Sequence, residues 1–451
     1  MLNFIAIFLT IAVVIVYIFH FFFFWLFPST DSIFYWQFAN FIRNGSYFVP
    51  HPYYYTRPST MEPPLFSLFI YLADSFPKAD IMIHFIQLGG IIVSGILIYK
   101  ILNFYFSKNW ALFSFVFFLL TPAHLIYSSN LVAEPLAVFY ITIYLYILHK
   151  IINLKQVKLL VVLLPYTALI TLHRYNLLIF FLTAVFLFLI KRGKDLRAWA
   201  GLLAGMTILG GWILINHQLN GSWGLSNAEG KHLYNRILHF DRILPSYSHP
   251  VFVKFRKLAG ERTDYFKPWW FYEEALIRST GSETGASLIM REFALAALFS
   301  DPLKYFLNTP RFFLFAHDRN TTFDDPLYLF NSNMKKSCQG MGNIRFCRPI
   351  INTSNNFGIW DRMVNAVNFF YIWGAKYINY LLLFPALIYS SLQKDSFFRI
   401  LALLYILSIL FFVMVEAPLP RYTYIYTPLG GIITYFALGK CFERVIKKKR
   451  E

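Results

Sequence analysis

The chain has 451 residues, of which 57% are hydrophobic, 20% aromatic and only 14% charged. Soluble domains usually carry about a quarter charged residues, so a protein that folds in water alone is excluded. The formal charge of +18 does not point to a nucleic-acid partner, because the basic residues sit in short stretches between long apolar runs.

In chain order, apolar runs predict about ten membrane spans near 3–27, 80–102, 109–127, 131–150, 158–173, 176–191, 197–217, 366–390, 396–416 and 422–441. The first has no basic leader or small-residue cleavage site, and it is too long for a signal core. It is therefore read as an uncleaved span. Lys100, Lys108, Lys150, Lys155, Lys158, Lys191, Arg192, Lys194, Arg197, Lys394, Arg399 and the Lys447-Lys448-Lys449-Arg450 tail all fall on one side of this layout. That asymmetry is the positive-inside pattern and puts both termini in the cytoplasm. The fold class expected is an all-α polytopic membrane protein. Its N-terminal transmembrane module spans 1–217 and includes a first outer loop at 28–79. An extracytoplasmic loop domain of mixed structure follows at 218–365, and C-terminal helices with a basic tail occupy 366–451.

Two outer segments carry the polar residues. Within 28–79, Leu65–Phe76 reads as a helix lying in the interface. In the second, Glu292–Phe315 reads as a membrane-hugging helix interrupted at Asp301-Pro302. Cys338 and Cys347 fall in this second loop, in an oxidising space, and are expected to form a disulfide. Cys441 sits alone at the cytoplasmic end of the last span. The Trp269-Trp270-Phe271-Tyr272 patch suits an interfacial aromatic belt or a surface for stacking a sugar.

Three acids are candidates for chemistry. Asp31 follows the first span, Glu62 precedes Pro63-Pro64, which fixes the backbone there, and Glu134 opens an apolar span ahead of Pro135. An acid at a span end is either a helix cap or a proton-transfer group. Arg57, Arg174, Lys231, Arg236 and Arg421 are outer-side cations. Each could clamp a phosphate or reach to lipid headgroups.

Asp31, the Gly45-Ser46-Tyr47 to Pro50-His51 stretch and Glu62-Pro63-Pro64-Leu65 together resemble the GT-C superfamily of glycosyltransferases. The similarity is to the branch of bacterial aminoarabinose transferases and protein O-mannosyltransferases. Glu134-Pro135-Leu136, Arg174-Tyr175-Asn176 and the run from Asn220-Gly221-Ser222-Trp223-Gly224 to Leu233-Tyr234-Asn235-Arg236 follow in the family's order, covering about the first 240 residues. The resemblance implies a GT-C-like bundle in the plasma membrane, a bacterial inner membrane, with an extracytoplasmic active site. It implies a polyprenyl-phosphate sugar as donor and a glycan, glycolipid or protein as acceptor, joined with inversion. Asp31 is the implied base, with Glu62 and Glu134 beside it, and the five cations are the implied phosphate ligands. Glu62 with His232 is the implied holder of a divalent metal ion. Two positions depart from the family pattern: Ser32 follows Asp31 where the mannosyltransferases have a second acid, and Pro63 follows Glu62 where the aminoarabinose transferases have Lys. A metal therefore stays open. The alternatives are a flippase or transporter of lipid-linked sugars, and a glycan polymerase or ligase. The absence of internal repeats and the placement of the acids at span ends weigh against a transporter.

Overall fold

A computed structural model of the chain describes residues 2–23, 32–46, 58–192, 196–260, 264–315, 379–415 and 421–448. Among these residues the fold is helical with no strand. The helices, in order, are α1 (Leu2–Phe23), α2 (Ser32–Asn44), α3 (Pro64–Ala73), α4 (Ala79–Leu102), α5 (Lys108–Leu119), α6 (Pro122–Ser128), α7 (Glu134–Ile152), α8 (Leu160–Thr171), α9 (Leu178–Arg192) and α10 (Leu196–Asn220). Then come α11 (Glu229–Tyr234), α12 (Pro250–Ala259), α13 (Trp270–Thr280), α14 (Glu283–Ser300), α15 (Pro302–Phe315), α16 (Phe384–Ser391), α17 (Ser396–Val415) and α18 (Thr427–Lys448). Among the described residues, Ala79–Leu102, Glu134–Ile152, Leu196–Asn220 and Ser396–Met414 are long and apolar enough to cross a bilayer.

Lipid tails are as apolar as leucine, so such helices associate through close packing and buried polar contacts. Gly201 and Gly205 let α10 lie directly on α8. A Cβ on Gly201 would sit 2.6 Å from the Val161 carbonyl oxygen, and one on Gly205 would sit 3.1 Å from that of Leu164. The contact advances in the same direction along both helices, so they run parallel with α9 returning between them. Thr121-Pro122 ends α5, dividing the predicted 109–127 span into α5 and a short α6. The irregular backbone between α6 and α7 then frees carbonyls that need donors in an apolar setting. Buried Gln87 on α4 supplies them, donating its amide to the Asn130 and Val132 carbonyls at 3.2 and 3.0 Å.

The bundle has two distinct ends. At one, Tyr105, His149, Phe397, Phe398 and Phe436 form an aromatic cluster flanked by Lys150 over Tyr146, Lys440 over Phe106 and Arg444 over Tyr389. At the other end α7 starts, α8, α10 and α17 finish, and a second helical unit begins. That unit, α11 to α15, has its own core, centred on Phe293 stacked 4.2 Å from Phe255 with Tyr234 and Tyr272 beside them. A mixed domain is predicted for 218–365; its described part has helices joined by turns and no strand. α2 lies across this end, packing Phe38 on Trp212 of α10.

Candidate functional site

Polar side chains gather where the segment leading into α3 crosses the helix ends. Thr60, fully buried, is the knot. Its hydroxyl donates to Asn216 Oδ1 at 2.7 Å and accepts from the Asn227 amide at 3.1 Å, while its own amide donates to Asn227 Oδ1 at 3.2 Å. Asn220 adds a longer contact of 3.4 Å to the same hydroxyl. Two residues on, Glu62 accepts a 2.6 Å hydrogen bond from the Tyr35 hydroxyl. The Tyr35 ring meets Phe66 edge-on at 4.8 Å. Pro63 is extended and Pro64 takes the first position of α3, where its missing N–H costs nothing. The prolines thus stop Glu62 from joining the helix and turn its carboxylate towards α2.

Glu62 and Arg174 lie on two facing pieces of chain stitched at both ends. The Leu65 amide donates to the Leu172 carbonyl at 2.9 Å, and the Tyr175 hydroxyl donates to the Thr60 carbonyl at 3.1 Å. Arg174 itself is extended, between α8 and α9, and pairs with Glu134 at 2.7 Å. Next to it His173 bonds the Ala133 carbonyl at 2.7 Å, fixing the start of α7. The amide nitrogen and oxygen of Asn176 are both buried without a hydrogen-bond partner. A buried amide with nothing to bond is costly. This end of the bundle therefore brings together Glu62, Glu134 and Arg174 of the expected set. Tyr35, Thr60, Tyr175, Asn216 and Asn220 were not anticipated. The one available signal was Asn216 and Asn220, one turn apart at the end of an otherwise apolar helix.

Lys231 and Arg236, expected to hold phosphate, are instead committed inside the second unit. The Lys231 ammonium is fully buried between Glu273 and Glu283 and lies 4.8 Å from the centre of the Trp269 ring. Burial alone would lower its pKa, but the two carboxylates more than reverse that and raise it. Glu283 also accepts from Ser59 at 2.9 Å, so the same network ties the second unit to the segment leading into α3. Arg236 donates through Nε to the Val413 carbonyl at 2.6 Å, pairs with Asp241 and reaches Thr309 at 3.3 Å. Its guanidinium also lies over Tyr305 and Phe312. Burial pushes the Asp241 carboxyl up and the Arg236 guanidinium down, each opposed by the other's charge. A charge removed from water persists only when paired in this way. Both cations are structural: Lys231 binds the second unit together, and Arg236 pins it to the end of α17.

His232, half-buried on α11, and Glu62 belong to no group of three or more His, Cys, Asp or Glu side chains able to hold a metal among the described residues. Asp31, Arg57, Cys338 and Cys347 lie outside the described residues, as does the side chain of Arg421. On the aromatic patch, Trp269 is buried at 7% exposure whereas Trp270 and Phe271 face outward.

No protein-family model, curated protein or solved structure matches the chain.

Proposed function

We propose that the chain is an inverting glycosyltransferase of the plasma membrane. It moves a sugar from a polyprenyl-phosphate donor to an acceptor hydroxyl outside the cytoplasm, on a GT-C-like bundle of about ten spans with both termini inside. The observation that supports this reading is that the segment carrying Glu62 is hydrogen-bonded alongside the segment carrying Arg174, which pairs with Glu134, at the bundle end opposite the lysine-flanked aromatic cluster. Carboxylate and guanidinium at a helix-bundle rim are what transfer from a lipid phosphate needs, one for the acceptor proton and one for the leaving phosphate. The acids also stand at helix ends and not midway along them, which favours surface chemistry over alternating access.

In this mechanism the acceptor oxygen attacks the anomeric carbon from the face opposite the phosphate. Its proton passes to a carboxylate, a role assigned to Asp31 by the family resemblance, with Glu62 orienting the hydroxyl. The bond from the anomeric carbon to the phosphate oxygen breaks with inversion, and polyprenyl phosphate leaves. Arg57, Arg174 and Arg421 stabilise the charge that develops on it. Glu134 acts through Arg174 and is a positioning residue. The test is to incubate the purified chain with a panel of radiolabelled polyprenyl-phosphate sugars and membrane extract. Label moving from donor to acceptor supports the proposal, and no transfer from any donor rejects it.

A further inference from the structure

The turn that follows α10 is built to hold one indole in the open. Trp223 is 66% exposed, yet it does not hang freely. One face of its ring stacks on His217 at 3.8 Å and 20°. The backbone on either side is fastened to α10: Asn216 donates to the Gly224 carbonyl at 2.7 Å, and the Trp212 indole donates to the Leu225 carbonyl at 2.8 Å. Ser222 closes the turn through the Ser226 carbonyl at 3.2 Å. The result is a flat aromatic face with its position set before anything binds, which lowers the ordering cost of binding.

The turn that carries this face bears polar groups of both kinds, neutral and charged. Asn220 reaches the Thr60 hydroxyl at 3.4 Å and the Asn216 amide oxygen at 3.1 Å, so the turn joins the polar knot two residues from Glu62. Glu229 lies against the turn. Its Oε1 would be 2.5 Å from a Cβ on Gly224, so only glycine leaves the carboxylate this place. Arg291 of α14 and His232 of α11 lie near enough to act on the Glu229 carboxylate by their charge. The half-buried Asn220 carboxamide and the exposed Glu229 carboxylate, on the same turn as an exposed indole, suit a pyranose ring. Sugar C–H groups carry slight positive charge and pack on the negative face of an aromatic ring, while sugar hydroxyls both donate to and accept from Asn and Glu.

We infer that Trp223, braced by His217, is a carbohydrate-stacking platform that seats the acceptor, and that the acceptor is therefore a glycan or the sugar part of a glycolipid. This rests on the glycosyltransferase reading for the word acceptor, but the platform itself can be tested alone. The full chain in detergent is probed by saturation-transfer NMR with methyl glycosides of glucose, galactose, mannose and N-acetylglucosamine. At least one is expected to receive saturation on one ring face. Its apparent affinity is expected to fall about tenfold or more in Trp223→Ala and to stay within about threefold in Trp223→Phe, which keeps an aromatic face. No saturation of any glycoside by the wild type, or equal saturation by Trp223→Ala, overturns the inference. So does tryptophan quenching by brominated acyl chains that is lost in Trp223→Phe, because that places the indole in lipid. Transfer from polyprenyl-phosphate donors is scored separately. Sugar binding without transfer rejects the glycosyltransferase reading and keeps the platform. Transfer with an acceptor KM unchanged in Trp223→Ala rejects the platform alone.

Discussion

Arg174 holds Glu134 at 2.7 Å, the two side chains only 11% and 3% exposed, so the link between α8 and α9 is clamped to the first residue of α7. Removing one partner leaves the other charge buried and unpaired, a loss of about 3 kcal/mol. Arg174→Met and Glu134→Gln should each lower stability by roughly that amount. The double variant should be less destabilised than the sum, with a coupling of about 1–3 kcal/mol. Denaturation midpoints of the four proteins in one detergent check this, and strict additivity would dissolve the pair.

The Tyr35 hydroxyl is the contact that aims Glu62. Tyr35→Phe removes a hydrogen bond to a charged group while keeping the ring against Phe66. Turnover is expected to fall about tenfold with little change in melting temperature. An unchanged kcat would mean that the aim of Glu62 does not matter to transfer.

Lys231 gives the second unit a pH signature. Its pKa is raised in the folded chain by Glu273 and Glu283, which outweigh the effect of burial. The stabilisation is therefore complete below about pH 10.5, the ordinary value for lysine, and is lost as pH climbs through the higher folded value. Lys231→Met should cost about 3 kcal/mol near neutral pH, because two buried carboxylates lose their cation. It should also flatten the fall in melting temperature as pH rises above about 10.5. A wild type and variant that decline in parallel over that range would remove Lys231 from the network.

Gly230 marks the closest approach of α11 to α14. A Cβ there would lie 1.8 Å from the Ser287 carbonyl oxygen, and the Gly230 amide already donates to the Ser287 hydroxyl at 3.1 Å. Backbone cannot yield as a flexible side chain can, so Gly230→Ala should force the helices apart at a cost of about 3 kcal/mol or more. Limited proteolysis should then cut within 229–300 well before the wild type is cut. Equal resistance would show that the two helices are not in register as described.

The long helices were legible because apolar runs in lipid need no partner to reveal them. The run 80–102 became Ala79–Leu102, 197–217 became Leu196–Asn220, and 396–416 became Ser396–Val415. Glu134 and Arg174 stand out for the opposite reason, as costly groups at apolar span ends, and the structure pairs them. The fates of Lys231 and Arg236 were not legible. The partners of Lys231 are contributed by α13 and α14, and nothing local signals them. Arg236 and Asp241 are five residues apart, a spacing that does not meet on an α-helix. It meets here because residues 235–240 form a π-helical turn, in which the hydrogen bonds span five residues. Lys231 and Arg236 thus read as ligands until the fold shows them enclosed by carboxylates and rings at 0% exposure, whereas Arg174 keeps 11% of its side chain exposed beside Glu134.

The most direct measurement compares transfer from a polyprenyl-phosphate sugar by the wild type, Asp31→Asn and Glu62→Gln reconstituted in the same liposomes, with folding monitored by melting temperature. Both substitutions keep shape and remove charge. Asp31→Asn is expected to reduce turnover to background and Glu62→Gln to reduce it at least about a hundredfold, with donor binding and melting temperature nearly intact. Wild-type turnover in both variants, or a wild type that transfers from no donor, would contradict a glycosyltransfer site at this end of the bundle.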